Sequence, residues 1–258
     1  MVEIRRFTDE DAWIEAIVAD FTLAVGVAAR EGRRPVFCLA GGSTPAPAYR
    51  AMAIALAGLA PSRLGPAVLV VGDERLSPRQ PGERNETMIR GAFSRAIEAG
   101  AAELLGWAIE AGEREAIDRM ASDYSRLGAE GGTAAGGRVF DACYLGLGAD
   151  GHCAGLFPGP GKAATGIATA SIAPSEPRQR VSLTAEALAS SLRTRYLLRS
   201  AGKESALLRL ASGDASCPAV LAASADARAF VLDSSTPRTG GMRYTSSMAV
   251  STRPRRPP

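Results

Sequence analysis

Histidine is almost missing from this chain: among 258 residues only His152 carries an imidazole. Cysteine is scarce and scattered, with Cys38, Cys143, Cys153 and Cys217 far apart and no Cys-x-x-Cys pair. Neither a zinc site nor a disulfide framework is therefore in view, and reduced thiols in a cytoplasmic protein fit the pattern. No uninterrupted apolar run approaches the roughly 18 residues of a membrane span, and the opening MVEIRRFTDEDAW lacks the apolar core of a secretion signal. There is also no GxxxxGK[ST] nucleotide loop and no GxSxG nucleophile elbow. These gaps argue against metal-dependent, disulfide-stapled, membrane-embedded and serine-nucleophile classes.

Acid is absent from one end of the chain. The formal charge is +3, yet residues 238 to 258 hold five arginines (Arg238, Arg243, Arg253, Arg255, Arg256) and no carboxylate. The remainder is mildly acidic, at −2, which speaks against a nucleic-acid surface. The expected organisation is a single domain over 1–237 followed by a disordered basic tail over 238–258. The glycine-rich stretch EGGTAAGGR at 130–138 reads as a surface connection, because strand-like runs continue on both sides of it.

What is present in quantity is hydrophobic residue, 46% of the chain, arranged with two periods. After Thr8 and Asp11, the residues Trp13, Ile14, Ile17, Val18, Phe21 and Val25 recur at helical spacing as far as Gly32. Short continuous apolar runs follow: VFCLA at 36–40, AVLVV at 67–71 and FDACYLGL at 140–147, then RVSLT near 180, RYLLR near 195 and AFVLD near 229. Runs of this kind read as buried parallel strands, with helices expected at 46–59, 85–99, 113–128 and 203–211. The fold class is α/β: three layers, α/β/α, around a mostly parallel, Rossmann-like sheet. In such a sheet ligands bind beyond the strand C-termini, so the loops after the first three runs should share one site.

The first of those loops, LAGGSTPAPAYR, sets Gly41, Gly42, Ser43 and Thr44 ahead of Pro45 at a helix start, a combination of amides, hydroxyls and helix dipole suited to an anion. It is also what an ordinary turn and helix cap look like. In the second, VVGDERLSPRQPGERNETMIR, the charges of Asp73, Glu74 and Arg75 follow directly on a buried run. They are either tuned active groups or a structural ion pair. The third, YLGLGADGHCAGLFPGP, holds His152 two residues after Asp150. No other side chain has an unperturbed pKa suited to proton transfer near neutrality. Gly146, Gly148 and Gly151 spell GxGxxG, but Pro158 and Pro160 break the helix a dinucleotide site needs, and no acid stands between Asp150 and Glu176.

GGSTP, GDERLSP with Asn85 after it, and GLGADGHCAGLFPG, in this order, resemble the 6-phosphogluconolactonase family, which is related in fold to glucosamine-6-phosphate deaminases. The resemblance covers about residues 1 to 235. It implies hydrolysis of 6-phospho-D-glucono-1,5-lactone to 6-phosphogluconate, in the oxidative branch of the pentose phosphate pathway, with no cofactor and no metal. By the same resemblance Gly41, Gly42, Ser43 and Thr44 hold phosphate, Arg75 contacts substrate with Asp73 near the reacting end, and His152 is catalytic. Asn85, Gly148 and Gly151 belong to the binding loops, and Arg180 and Lys203 match basic positions near the phosphate. The deaminases resemble Asp-Glu-Tyr where this chain has Asp73-Glu74-Arg75, and carry a glutamate where Phe157 stands.

Three positions depart from the family pattern: Cys153 for threonine, Gly155 for serine, and Arg84 for the serine before Asn85, the last expected to add a cation near the mouth. The mechanism expected is water activation by His152, with Asp73 or Asp150 orienting the imidazole. The oxyanion would be met either by amides of the 148–151 loop or by Arg75. The expected partner is a small sugar-phosphate lactone, without nucleic acid or membrane, acting on a cytoplasmic monomer or weak homo-oligomer. A deaminase-like or other sugar-phosphate isomerase, and a non-catalytic sugar-phosphate-binding regulator, remain as alternatives.

Overall fold

The computed structural model describes residues 1–59, 65–77, 80–131, 138–159 and 165–233. Residues 238–258, read above as a basic tail, and most of the glycine-rich stretch at 130–138 lie outside the described residues. The elements run β1 (Glu3–Phe7), α1 (Glu10–Arg30), β2 (Val36–Leu39), α2 (Ala46–Gly58), β3 (Ala67–Val71), β4 (Asp73–Arg75), α3 (Asn85–Ala92), α4 (Ser94–Glu98) and β5 (Ala102–Leu105). They continue α5 (Glu113–Gly131), β6 (Ala142–Leu145), β7 (Ala168–Ile172), β8 (Gln179–Leu183), α6 (Ala185–Ala189), β9 (Thr194–Arg199), α7 (Glu204–Ser212), α8 (Pro218–Leu221) and β10 (Ala227–Leu232).

Seven strands form one sheet in the order β1-β10-β9-β6-β2-β3-β5, with every pairing parallel. The runs that read as buried strands are buried: each residue of β2, β3 and β6 is covered, because helices close both faces of a parallel sheet. Helix α1 begins where Asp9 accepts from the Ala12 amide at 2.8 Å, one residue later than the Thr8 start expected. By length and hydropathy α1 would also pass for a membrane span. In the fold its buried stripe of Trp13, Ile17, Phe21, Ala24, Val25 and Ala28 forms part of the core, and the Trp13 indole donates to the Phe230 carbonyl at 2.9 Å.

Two expectations need correction. RVSLT is strand β8, but it does not join the parallel sheet. It pairs antiparallel with β4 and β7 in a second, three-stranded sheet, where Asp73 faces Ser182 and Arg75 faces Arg180. The apolar run fits both settings, since β8 is buried from Arg180 onward in either sheet. The helix expected at 85–99 is broken at Phe93 into α3 and α4, with the Phe93 ring fully buried and 5.7 Å from that of Tyr49.

The strand order explains where a ligand can enter. From β2 the chain moves outward through β3 to β5, whereas from β6 it moves the other way through β9 to β10. Neighbouring strands β2 and β6 therefore send their following loops apart, leaving a crevice beyond their C-termini. The Gly41–Thr44 loop follows β2 and the His152 loop follows β6.

Candidate active site

A cavity of about 290 Å³ occupies this crevice. Of the residues singled out in the sequence, Gly41, Gly42, Thr44, Asp73, Arg75, Asn85, Gly148, His152 and Lys203 line it. Four neighbouring strands, β3, β2, β6 and β9, feed the loops that bring them together.

On the β2 side, the amides of residues 41 to 44 donate to no described residue, and α2 follows Pro45 at the cap position with no side-chain cap. A helix N-terminus left open in this way is an electropositive rim. Gly41 has a steric reason to be glycine: a Cβ there would lie 1.9 Å from Asn85 Oδ1. Lys203, just ahead of α7, lines the same cavity, and its side chain has no hydrogen bond or ion pair with any described residue. Burial holds its ammonium below the ordinary lysine range. An uncompensated, half-buried cation beside free amides is a receiver for an anion. Ser43 is exposed on the same turn and does not line the cavity.

On the β6 side the imidazole is held by its own loop. The Asp150 carboxylate approaches His152 Nδ1 at 2.6 Å and also accepts from the His152 amide at 3.1 Å. This arrangement assigns the proton to Nδ1 and leaves Nε2 as the acceptor. Partial burial works to raise the Asp150 carboxyl, but the amide and ring of His152 outweigh it and hold it below the usual carboxylate range. Gly148 lies under the ring: a Cβ there would be 2.1 Å from Nδ1. The Phe157 ring packs against the imidazole with centroids 5.0 Å apart. Of the two acids proposed to orient His152, Asp150 is the one in contact.

Asp73 sits instead on the cavity wall, 7% exposed. Its carboxyl makes no hydrogen bond with a described residue, and burial, then the charge of Glu74, push it up to about 6 against the pull of Arg75, Arg180 and His152. Arg75 lines the same wall, donating through Nη1 to the Glu83 carbonyl and to Asn85 Oδ1 at 2.8 Å. Its Nε is buried with no partner among the described residues.

Several expected roles are not met. Gly151 does not line the cavity; at φ +90° it is packed behind the loop against Cys217. Arg180 does not line it either: its guanidinium donates to the Pro177 carbonyl. Its charge still acts on Asp73. Arg84 adds no cation at the mouth: it pairs with Glu110 at 2.7 Å and Glu86 at 3.1 Å. Two amides of the 148–151 loop are already used, that of Gly148 donating to the His152 carbonyl and that of Gly151 to the Gly148 carbonyl. Cys153 lines the cavity, but burial pushes its thiol far up, which leaves it inert.

Glu74 is the residue sequence reasoning undervalued. It is wholly buried, and its carboxylate accepts from the amides of Arg75, Asn85 and Glu86 at 2.8, 2.9 and 2.9 Å. It thereby caps α3 from a distance, where Arg84 at the cap position provides no side-chain bond. The signal was its place between two candidate site residues in an otherwise buried strand continuation.

A doubly wound α/β protein with a cavity lined by an unpaired lysine and open amides at its topological switch point is the class that fold and site define. Within that class the chain belongs to the glucosamine-6-phosphate isomerase/6-phosphogluconolactonase family, whose model matches residues 8–231. The 6-phosphogluconolactonase of Caulobacter vibrioides is 33% identical over 188 residues, 69% of this chain and 72% of that protein. Among solved structures, the 6-phosphogluconolactonase of Thermotoga maritima superposes with a TM-score of 0.73 at 21% identity, covering 90% of this chain and 100% of that one. That of Trypanosoma brucei gives 0.71 at 20% identity, covering 90% and 96%. At these identities the two structures speak for the fold.

Proposed function

We propose that this chain is a 6-phosphogluconolactonase, hydrolysing 6-phospho-D-glucono-1,5-lactone to 6-phosphogluconate with His152 as general base. The observation that carries the reading is the His152 ring itself, fixed through Nδ1 by Asp150 and presented to a cavity that a free lysine and an open amide turn also line. A purely binding protein needs the anion wall but no oriented base. Membership of the family and the Caulobacter relative support the substrate.

In the proposed reaction, water bound between the lactone carbon and His152 Nε2 gives its proton to that nitrogen as its oxygen attacks the carbonyl carbon. The tetrahedral intermediate collapses with cleavage of the carbon to ring-oxygen bond, and the ring oxygen takes the proton back from Nε2. Asp150 stabilises the imidazolium between the two transfers. Arg75, the cationic donor on the wall, is the group we assign to the developing oxyanion, since the amides of Gly148 and Gly151 already donate to carbonyls of their own loop. Gly41, Gly42, Thr44 and Lys203 hold the phosphate, which fixes the reacting carbon without taking part in the chemistry.

Phe157 favours hydrolysis over the isomerase or deaminase reading. The side chain beside the imidazole is a phenyl ring, so no carboxylate is placed there to extend a proton relay. Four buried free thiols suit a cytoplasmic setting. The test is acid release from 6-phosphogluconolactone, corrected for spontaneous hydrolysis, set against ammonia release from glucosamine 6-phosphate. Acid release alone is expected. Ammonia release, or neither, would overturn the reading.

A further inference from the structure

The loop that carries His152 is held from behind by a side chain six residues along from Lys203. Arg209 on α7 donates through Nη1 to the Asp150 carbonyl at 2.9 Å, through Nη2 to Ser216 Oγ at 3.2 Å, and through Nε to Asp214 Oδ2 at 3.0 Å. All three faces of the guanidinium fork are used. Asp214 is itself anchored, accepting from the amide and hydroxyl of Ser216 at 2.9 and 2.7 Å. The next carbonyl of the loop, that of Gly151, is held as well, by the Ala219 amide at 3.2 Å and the Cys217 thiol at 3.3 Å. Gly151 lies so close to this support that an added Cβ would come 2.7 Å from Cys217 Sγ and 3.3 Å from Arg209 Nη1.

We infer that Arg209 is a positioning residue for the reaction: by fixing the Asp150 carbonyl it sets the Asp150 carboxylate against His152 Nδ1 and so aims Nε2 into the cavity. The inference rests on the proposed role of His152. Arg209 does not line the cavity, and so acts through Asp150. Helix α7 then serves two parts of the site at once, with Lys203 at its start lining the cavity and Arg209 in its second turn bracing the base.

A double-mutant cycle in the full chain tests this, reading kcat and KM for the phosphorylated lactone in wild type, Arg209→Ala, Asp150→Asn and the pair. A misaimed base costs about 10- to 100-fold in kcat, so Arg209→Ala is expected to lose that much while KM stays within about threefold. In the Asp150→Asn background the same change should cost less than about threefold, because the link it serves is already broken. If Arg209→Ala keeps kcat within threefold of wild type, or its full loss recurs on top of Asp150→Asn, the inference fails. Should Arg209→Ala not fold, Arg209→Lys is read by the same criteria, since one ammonium cannot hold all three partners. His152→Ala separates the two readings: if it is inactive while the cycle is additive, only the role of Arg209 falls, and if it is active the role of His152 falls too.

Discussion

The side chains of the site divide the work between an anion end and a proton-transfer end. Lys203 is the clearest member of the first, because a half-buried ammonium without a counter-ion is costly unless a ligand supplies the charge. Lys203→Ala is expected to raise KM for the phosphorylated lactone about 10- to 100-fold, the worth of one or two charge-assisted hydrogen bonds. KM for unphosphorylated gluconolactone should barely move, and equal effects on both substrates would remove Lys203 from the phosphate site. The pairing of Asp150 with His152 was half legible: two residues apart in a glycine loop, they were within reach, but Asp73 was as plausible until the fold put Asp150, and not Asp73, in hydrogen-bond contact with the ring. Ser43, Gly151 and Arg180 were expected in the site and do not line the cavity, because a motif lists neighbours in sequence, whereas direction is decided by backbone turns and strand pairing.

Among the elements, the short β4 and the helix it faces hold the binding wall. Glu74 joins them by accepting three amides in a fully buried setting, and those amides belong to Arg75, Asn85 and their neighbour Glu86. Glu74→Gln should destabilise the fold by about 1–3 kcal/mol, since one accepting pair becomes a donor facing donors. It should also raise KM as Arg75 and Asn85 shift. Urea unfolding together with steady-state kinetics checks both, and an unchanged midpoint would refute the capping role. Buried strands were readable as apolar runs, but β1, β5 and β7 were not. β1 and β5 are sheet edges, half exposed, and carry charges such as Glu3 and Glu103 that pair with Arg228 and Arg34. β4 consists of nothing but charged residues, and only its pairing with β8 makes it a strand.

For the whole molecule, the site is bought at some cost in stability. Asp73, pushed up to about 6 by burial and by Glu74, binds its proton more tightly in the folded chain than an unfolded aspartate with its pKa of about 3.9. The stability this lends is fully present below about pH 4 and is lost as pH rises through about 6. Above pH 7 the ionised group costs up to about 3 kcal/mol. Asp73→Asn should therefore melt several degrees higher than wild type at pH 8 and no higher at pH 4. A melting temperature at pH 8 equal to or below that of wild type would show that Asp73 is not strained. The layered α/β class and the meeting of the β2 and β6 loops were legible from run lengths and loop positions. The antiparallel second sheet was not, because its pairing depends on contacts more than a hundred residues apart in the chain.

The central claim is that the single imidazole removes the proton from the attacking water. The most direct measurement is the kcat of His152→Gln for 6-phosphogluconolactone, by continuous acid titration with the uncatalysed rate subtracted. A fall of about two to four orders of magnitude with the fold intact is predicted. A kcat within threefold of wild type would contradict the account.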